Sequence, residues 1–142
     1  MRKRRRLFIV LLIASATVAG CCLGPWGTTY PPLGPVTRIE VKDDRKDDHV
    51  HVIDDPAEVQ RVVEFVNGHR RGWGWLSDWA GVPVPQVSAY FYNGTEFKGH
   101  FGVGPGFFEC QREGDFASKH CSDSQGRLFL KLVGLPGSEL SR

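Results

Sequence analysis

Two short segments in the first half of the chain alternate between apolar and polar residues. They are Thr37–Asp43 and His49–Ile53, and a polar stretch separates them. Alternation with a period of two is typical of half-buried strands, so the pattern predicts a β-hairpin. In its second strand, Val50 and Val52 are expected to face the core.

The segment that follows has the periodicity of a helix. Asp55 is placed to cap it, and Pro56 occupies the first helical position, where a missing N–H costs nothing. Apolar residues recur three and four positions apart, as on one helix face: Val59, Val62, Val63 and Val66. Asn67-Gly68 predicts the end of the helix.

The second half of the chain predicts two further strand pairs. The alternating segments are Val87–Tyr92, Thr95–Val103, Phe107–Arg112 and Ala117–Ser122. Asn93-Gly94 lies between the first two, and this dipeptide favours the tight turn of a hairpin. A Gly-Pro-Gly turn separates the second pair from the first.

The C-terminal region favours a second helix. Ser122 and Gln125 have the spacing of a capping box, and Gly134-Leu135-Pro136 is a stop sequence. The expected apolar stripe consists of Leu128, Phe129, Leu132 and Val133. The element order is then ββαββββα, which predicts an α+β domain with an antiparallel sheet and both helices packed on one face.

The first twenty residues have the three parts of an export signal. Five basic residues follow Met1, an apolar run begins at Leu7, and small residues end the segment at Gly20. Leu7 to Gly20 spans 14 residues, whereas a membrane-spanning helix needs about 20. Residues 1–20 are therefore expected to be a signal peptide.

The end of this signal, Val18-Ala19-Gly20-Cys21, resembles the lipobox of bacterial lipoprotein precursors. The resemblance covers residues 1–21 alone. It implies cleavage after Gly20, a diacylglyceryl group on Cys21, and membrane attachment through that lipid. No aspartate follows Cys21, which favours the outer membrane, facing the periplasm, in a Gram-negative host.

Cleavage at this point would change the charge and organisation of the chain. The mature 122 residues carry 13 Lys and Arg against 16 Asp and Glu, a net charge of −3. No basic patch remains to indicate a nucleic-acid partner. Residues 21–35 are rich in proline and glycine and are expected to form a tether, with residues 36–142 as one domain.

An exported chain also meets an oxidising compartment. Cys110 and Cys121 are then expected to form a disulfide, which closes a short loop. Cys22 would be left without an assigned role.

Two clusters are candidates for binding. Asp47, His49 and His51 would share one face of a strand and could hold zinc or a similar ion, although a solvated hairpin tip is the simpler and favoured explanation. The second cluster is aromatic and follows two arginines: Arg70, Arg71, Trp73, Trp75 and Trp79. These rings either cover the sheet or form a surface that binds a partner.

Catalysis has little support in the sequence, and no cofactor is indicated. The serines lack the context of an activated nucleophile, and the glycine-rich segment 102–106 does not open a helix. The leading hypothesis is a non-enzymatic envelope lipoprotein that binds a protein or glycan near the membrane. The alternatives are a metal-binding protein or metal-dependent hydrolase centred on His49 and His51, and a structural factor in envelope assembly.

Overall fold

A computed structural model describes residues 27–46, 49–75, 84–112, 114–136 and residue 140. The predicted α+β class is confirmed. In chain order the elements are β1 (Arg38–Asp43), β2 (His49–Ile53), α1 (Pro56–Gly68), β3 (Gly74–Trp75), β4 (Val87–Asn93), β5 (Glu96–Gly104), β6 (Phe107–Arg112), β7 (Asp115–His120) and α2 (Asp123–Leu132).

The strands form one antiparallel sheet in the order β2-β1-β4-β5-β6-β7-β3. The order along the chain differs from the predicted one in a single element, the two-residue strand β3. It lies in what the sequence suggests is an irregular connection, and two residues are too few for a periodicity to appear. The predicted hairpin is confirmed, but its two-residue turn is Gly94-Thr95, one residue later than predicted, because Asn93 still pairs with Glu96; Gly94 has φ +60°.

One face of the sheet carries the hydrophobic core. Phe101 on β5 and Phe108 on β6 are fully buried there. Phe65 of α1 and Phe129 of α2 both make ring contacts with Phe101 and Phe108. The two helices therefore pack against the same face, as predicted.

Helix α1 agrees with its sequence prediction. The Asp55 side chain accepts hydrogen bonds from the backbone N–H groups of Ala57 and Glu58, both at 3.0 Å. The four valines of the predicted stripe are all buried. Among the described residues, no helix is long and apolar enough to cross a bilayer.

Helix α2 begins with the predicted capping box of Ser122 and Gln125. Of its predicted stripe, Phe129 and Val133 are buried and Leu132 is partly buried, whereas Leu128 is 48% exposed and Leu130 is buried in its place. The helix ends as its stop sequence predicts: Gly134 has φ +80°, and the Leu135 N–H donates to the Leu130 carbonyl at 2.8 Å.

The predicted orientation of strand β2 is wrong. Val50 and Val52 are about half exposed and lie on the face away from the helices. The register pairs His51 with Val41 and Ile53 with Ile39, so His51 and Ile53 share the core face instead. Alternation in an edge strand fixes which residues share a face, but it does not say which face is covered.

The predicted tether is also corrected in part. Tyr30 and Leu33 are 7% and 6% exposed and belong to the core. The Leu33 N–H donates to the Asn67 side chain at 2.7 Å, which fixes the segment to the end of α1. The packed domain thus begins before residue 36, and residues 21–26 of the predicted tether lie outside the described residues.

Candidate functional site

The face of the sheet opposite the helices, here called the open face, is partly exposed. The register aligns two rows of side chains across it. One row is Val52, Glu40, Tyr90, His100, Gln111 and Phe116. The other is Val50, Lys42, Ser88, Gly102, Glu109, Ser118 and Gly74. Antiparallel sheets commonly leave one face to solvent, but such a face is then usually polar.

Two ionisable side chains are buried at the centre of the open face. His100 is 5% exposed and Glu109 is 4% exposed. His100 Nδ1 and Glu109 Oε1 are 3.6 Å apart, close enough for an ion pair but too far for a hydrogen bond. Within the described residues, His100 Nε2 is buried and has no hydrogen-bond partner. An unsatisfied buried nitrogen of this kind calls for an explanation.

Pro85 packs on strand β5 at Gly102, beside His100. A side-chain carbon added at Gly102 would lie 2.6 Å from Pro85 Cβ and 3.3 Å from His100 Nε2. The proline ring therefore rests on the strand at a position where only glycine leaves room. Both the proline ring and His100 Nε2 border the space above Gly102.

Burial controls the ionisation of both groups. It lowers the pKa of His100 from 6.5 to about 4, although the Asp44 carboxylate opposes this shift. Burial also raises the pKa of Glu109 above its ordinary value. Removal from water disfavours the charged form of each group, so both directions have the same cause.

Aromatic side chains lie on the open face beside His100 and towards the end of β4. The Tyr90 ring stacks on the His100 ring, with centroids 5.0 Å apart. Tyr92 contacts Phe97 at 5.8 Å, and the Arg38 guanidinium lies 4.8 Å above the Tyr92 ring. Phe97 itself is 46% exposed. The open face therefore combines exposed apolar side chains with a buried polar pair at its centre.

The chemistry that this arrangement allows is hydrogen bonding and proton exchange. Neutral His100 has one ring nitrogen able to donate and one able to accept. Ser88, which is 2% exposed, lies in the row next to His100, but Nε2 forms no hydrogen bond with it. A Ser-His-Glu catalytic arrangement requires that bond, so the geometry does not form one.

Comparison of this chain with protein-family models, curated proteins and solved structures gives no match. Its description therefore rests on its own residues. Together, the fold and the site define a small α+β domain whose open sheet face carries a buried histidine-glutamate pair.

The predicted disulfide between Cys110 and Cys121 is absent. Both cysteines are buried free thiols. The register pairs Cys110 with Ala117, four residues before Cys121. Four residues of strand span about 13 Å, whereas a disulfide needs Cα atoms within about 7 Å. Burial raises the pKa of Cys110 to about 12 and that of Cys121 to about 11, so both thiols are poor nucleophiles.

The aromatic segment contributes to the core rather than to a surface, at least at its first tryptophan. Trp73 is 2% exposed and contacts the rings of Tyr30 and Phe101 edge-on. Lys119 Nζ lies 4.6 Å from the centre of the Trp73 ring. The Trp75 side chain and Trp79 lie outside the described residues.

The two arginines that precede this segment lie where the chain leaves α1. Arg71 is exposed and Arg70 is half-buried. The Arg70 carbonyl accepts a hydrogen bond from the Tyr30 N–H at 3.0 Å. Cys21, the predicted lipidation site, lies outside the described residues.

The predicted metal cluster is not assembled by the described residues. His51 Nε2 lies 2.8 Å from the Val133 carbonyl oxygen, where the ring nitrogen donates to the end of α2. Asp47 and the His49 side chain lie outside the described residues. The part of the chain that the structure describes contains no group of three metal-ligating side chains.

Sequence reasoning did not connect His100 with Glu109, although the sequence carries some of the information. The hairpin at Asn93-Gly94 and the alternation around Phe101 place His100 on the face opposite the core. Alternation around Phe108 and Cys110 does the same for Glu109. Their proximity depends on the register of β5 with β6, which pairs Gly102 with Glu109. That register, and the packing of Pro85 on Gly102, cannot be read from periodicity.

Proposed function

We propose that the mature chain is a lipid-anchored protein of the bacterial envelope, and that its domain binds a protein partner through the open face of the sheet. The lipid anchor is inferred from the sequence Val18-Ala19-Gly20-Cys21, which follows a basic and then an apolar segment. The binding proposal rests on the exposed apolar side chains of the open face. Catalysis is not proposed, because the buried thiols are unreactive and His100 is not linked to a nucleophile.

The composition of the open face supports a partner made of protein. Four apolar side chains on or beside it are about half exposed: Val50, Val52, Phe97 and Phe116. Burial of each would contribute roughly 1–2 kcal/mol before the costs of association. Valines give no stacking surface for a sugar ring, whereas exposed apolar side chains of this kind mark surfaces that bind proteins.

The anchor is tested by replacing Cys21 with serine. The variant should remain uncleaved and carry no lipid, because the serine hydroxyl cannot form the thioether that precedes cleavage. Metabolic labelling with a fatty acid and intact-mass measurement report both events. Replacing Cys22 with serine is the matched control and should leave processing unchanged. If the parent protein carries no lipid, the proposed anchor is wrong.

Binding is tested with a photo-crosslinking amino acid placed at Val52, on the open face. A position on the solvent side of α1, Glu64, is the matched control. We expect a discrete adduct at Val52 alone. The double substitution Val50→Lys and Val52→Lys should then weaken the affinity of the purified partner about tenfold or more, with an unchanged melting temperature. An equal adduct at both positions, or no loss of affinity, would contradict this role for the open face.

A further inference from the structure

Basic residues collect at one edge of the sheet, beside β3. This group, here called the basic end, consists of Arg70, Arg71 and Lys119, with His120 next to Lys119 at the end of strand β7. Arg71 and His120 are exposed. The Lys119 ammonium donates hydrogen bonds to the carbonyls of His69 and Arg71, which holds the two chain segments together. In a mature chain with a net charge of −3, such a group is a local departure from the average.

The N-terminal segment joins the domain at this same place. Thr28 forms an antiparallel bridge with Trp73, in which the Trp73 N–H donates to the Thr28 carbonyl at 3.1 Å. Gly27 has φ +65°, and a side-chain carbon there would lie 2.4 Å from the carbonyl carbon of Gly72. The chain therefore enters the fold in contact with residue 72, next to Arg71.

The distance from this entry point to the expected lipid is short. Gly27 is six positions after Cys21, with five residues between them. Even a fully extended chain of six residues reaches only about 20 Å. If Cys21 carries lipid, the basic end is the part of the domain that the anchor brings closest to the headgroups.

From this placement we propose that the basic end docks on the anionic phospholipid headgroups of the membrane that holds the anchor, and so orients the domain. The proposal rests on the proposed lipid anchor. Phosphate groups complement the guanidinium groups of Arg70 and Arg71. Near an anionic bilayer surface, each arginine strengthens attachment about fivefold at moderate ionic strength.

Helix α2 begins at the same end of the molecule. The side chain of Gln125, in its first turn, lies 3.4 Å from the His69 ring. The N–H groups at the N-terminus of α2 add partial positive charge there, and Asp123 in the same turn partly offsets it. Arg127, one turn further along, is exposed and adds another positive charge.

The test compares lipidated protein in vesicles of phosphatidylcholine with the same protein in vesicles that contain about one-third phosphatidylglycerol. Hydrogen exchange is followed by mass spectrometry. Exchange at residues 69–73 should slow about threefold or more in the anionic vesicles, since attraction by two or more cations holds this segment at the surface. Salt at about 0.5 M should remove the difference, because it screens charges beyond a few ångströms.

Variants separate docking from other effects. The double substitution Arg70→Gln and Arg71→Gln should abolish the difference between vesicles, while exchange of β5 stays as in the parent and shows that the fold is kept. Arg61→Gln removes an exposed arginine from α1 and should leave the difference in exchange between the two vesicle types unchanged. Equal exchange in both vesicle types, with the lipid on Cys21 verified by mass, overturns the docking proposal alone. Absence of lipid on Cys21 instead overturns the proposed anchor.

Discussion

Replacing Phe101 with alanine should lower the free energy of unfolding by about 3–5 kcal/mol. The side chain is fully buried and contacts four other rings, those of Phe65, Trp73, Phe108 and Phe129. It joins both helices and the Trp73 segment to the sheet. Truncation leaves a cavity that these rings cannot fill together, because each is also held by other neighbours.

The same strand offers a matched control. Phe97 is 46% exposed, so Phe97→Ala should cost well under half as much. Urea unfolding, followed by circular dichroism, measures both. Equal losses for the two variants would mean that the Phe101 cluster is not the centre of the core. A typical domain has a total stability of only about 5–15 kcal/mol, so Phe101→Ala could populate the unfolded state without denaturant.

Acidification should destabilise the protein through His100. The unfolded chain takes up a proton on this histidine below pH 6.5, whereas the folded chain does so only near its pKa of about 4. The contribution of neutral His100 to the free energy of unfolding is therefore complete above pH 6.5 and decreases as the pH drops towards 4. A difference of this size corresponds to roughly 3 kcal/mol.

Glu109 has the opposite slope and must be separated from His100. Its pKa is raised on folding, so its contribution to stability is complete below 4.5 and is lost as the pH rises through the folded value. The substitution Glu109→Gln removes this opposing effect. It should raise stability at pH 7 and leave the fall between pH 6.5 and 4 fully visible.

The experiment is a pair of urea titrations at several pH values between 4 and 7.5. The Glu109→Gln variant should lose roughly 3 kcal/mol between pH 6.5 and 4, and the double variant that also carries His100→Gln should lose much less. In the same Glu109→Gln background, His120→Gln is the control, since His120 is exposed on the neighbouring strand β7. An identical pH dependence with and without His100 would show that its imidazole is not shielded from water in the folded protein.

Elements with strong local signals could be predicted from the sequence. The caps at Asp55 and Ser122, the valine stripe of α1 and the hairpin predicted by Asn93-Gly94 depend on residues close together in the chain. Such signals act within one turn of backbone, so tertiary packing has little to overrule. The α+β class follows from them.

Errors arose where distant contacts decide the outcome. Val50 and Val52 alternate as expected, but pairing of β2 with β1 turns them away from the helices. The pairing of Cys110 with Ala117 likewise separates the two cysteines, although their spacing alone would allow a bridge. Tyr30 belongs to a segment without periodicity, and only its contact with Trp73 reveals that it is core.

The candidate site was predictable only in its parts. His100 is visible as a histidine on a strand, and Gly102 as a glycine within the same strand. Both residues lie beside Pro85, which precedes β4 in the chain and whose ring packs on Gly102. No pattern within either segment encodes that approach.

The bridge between Thr28 and Trp73 gives the domain a defined point of mechanical loading. A pull on the N-terminal side of the chain, such as the proposed anchor would exert, reaches the described fold there first. The segment from Thr28 to Leu33 lies outside the main sheet and is held by a few hydrogen bonds and two buried side chains, so it would peel away stepwise under tension. The six longer strands, joined edge to edge, would bear load only after that segment had come off, and the open face would keep its shape meanwhile.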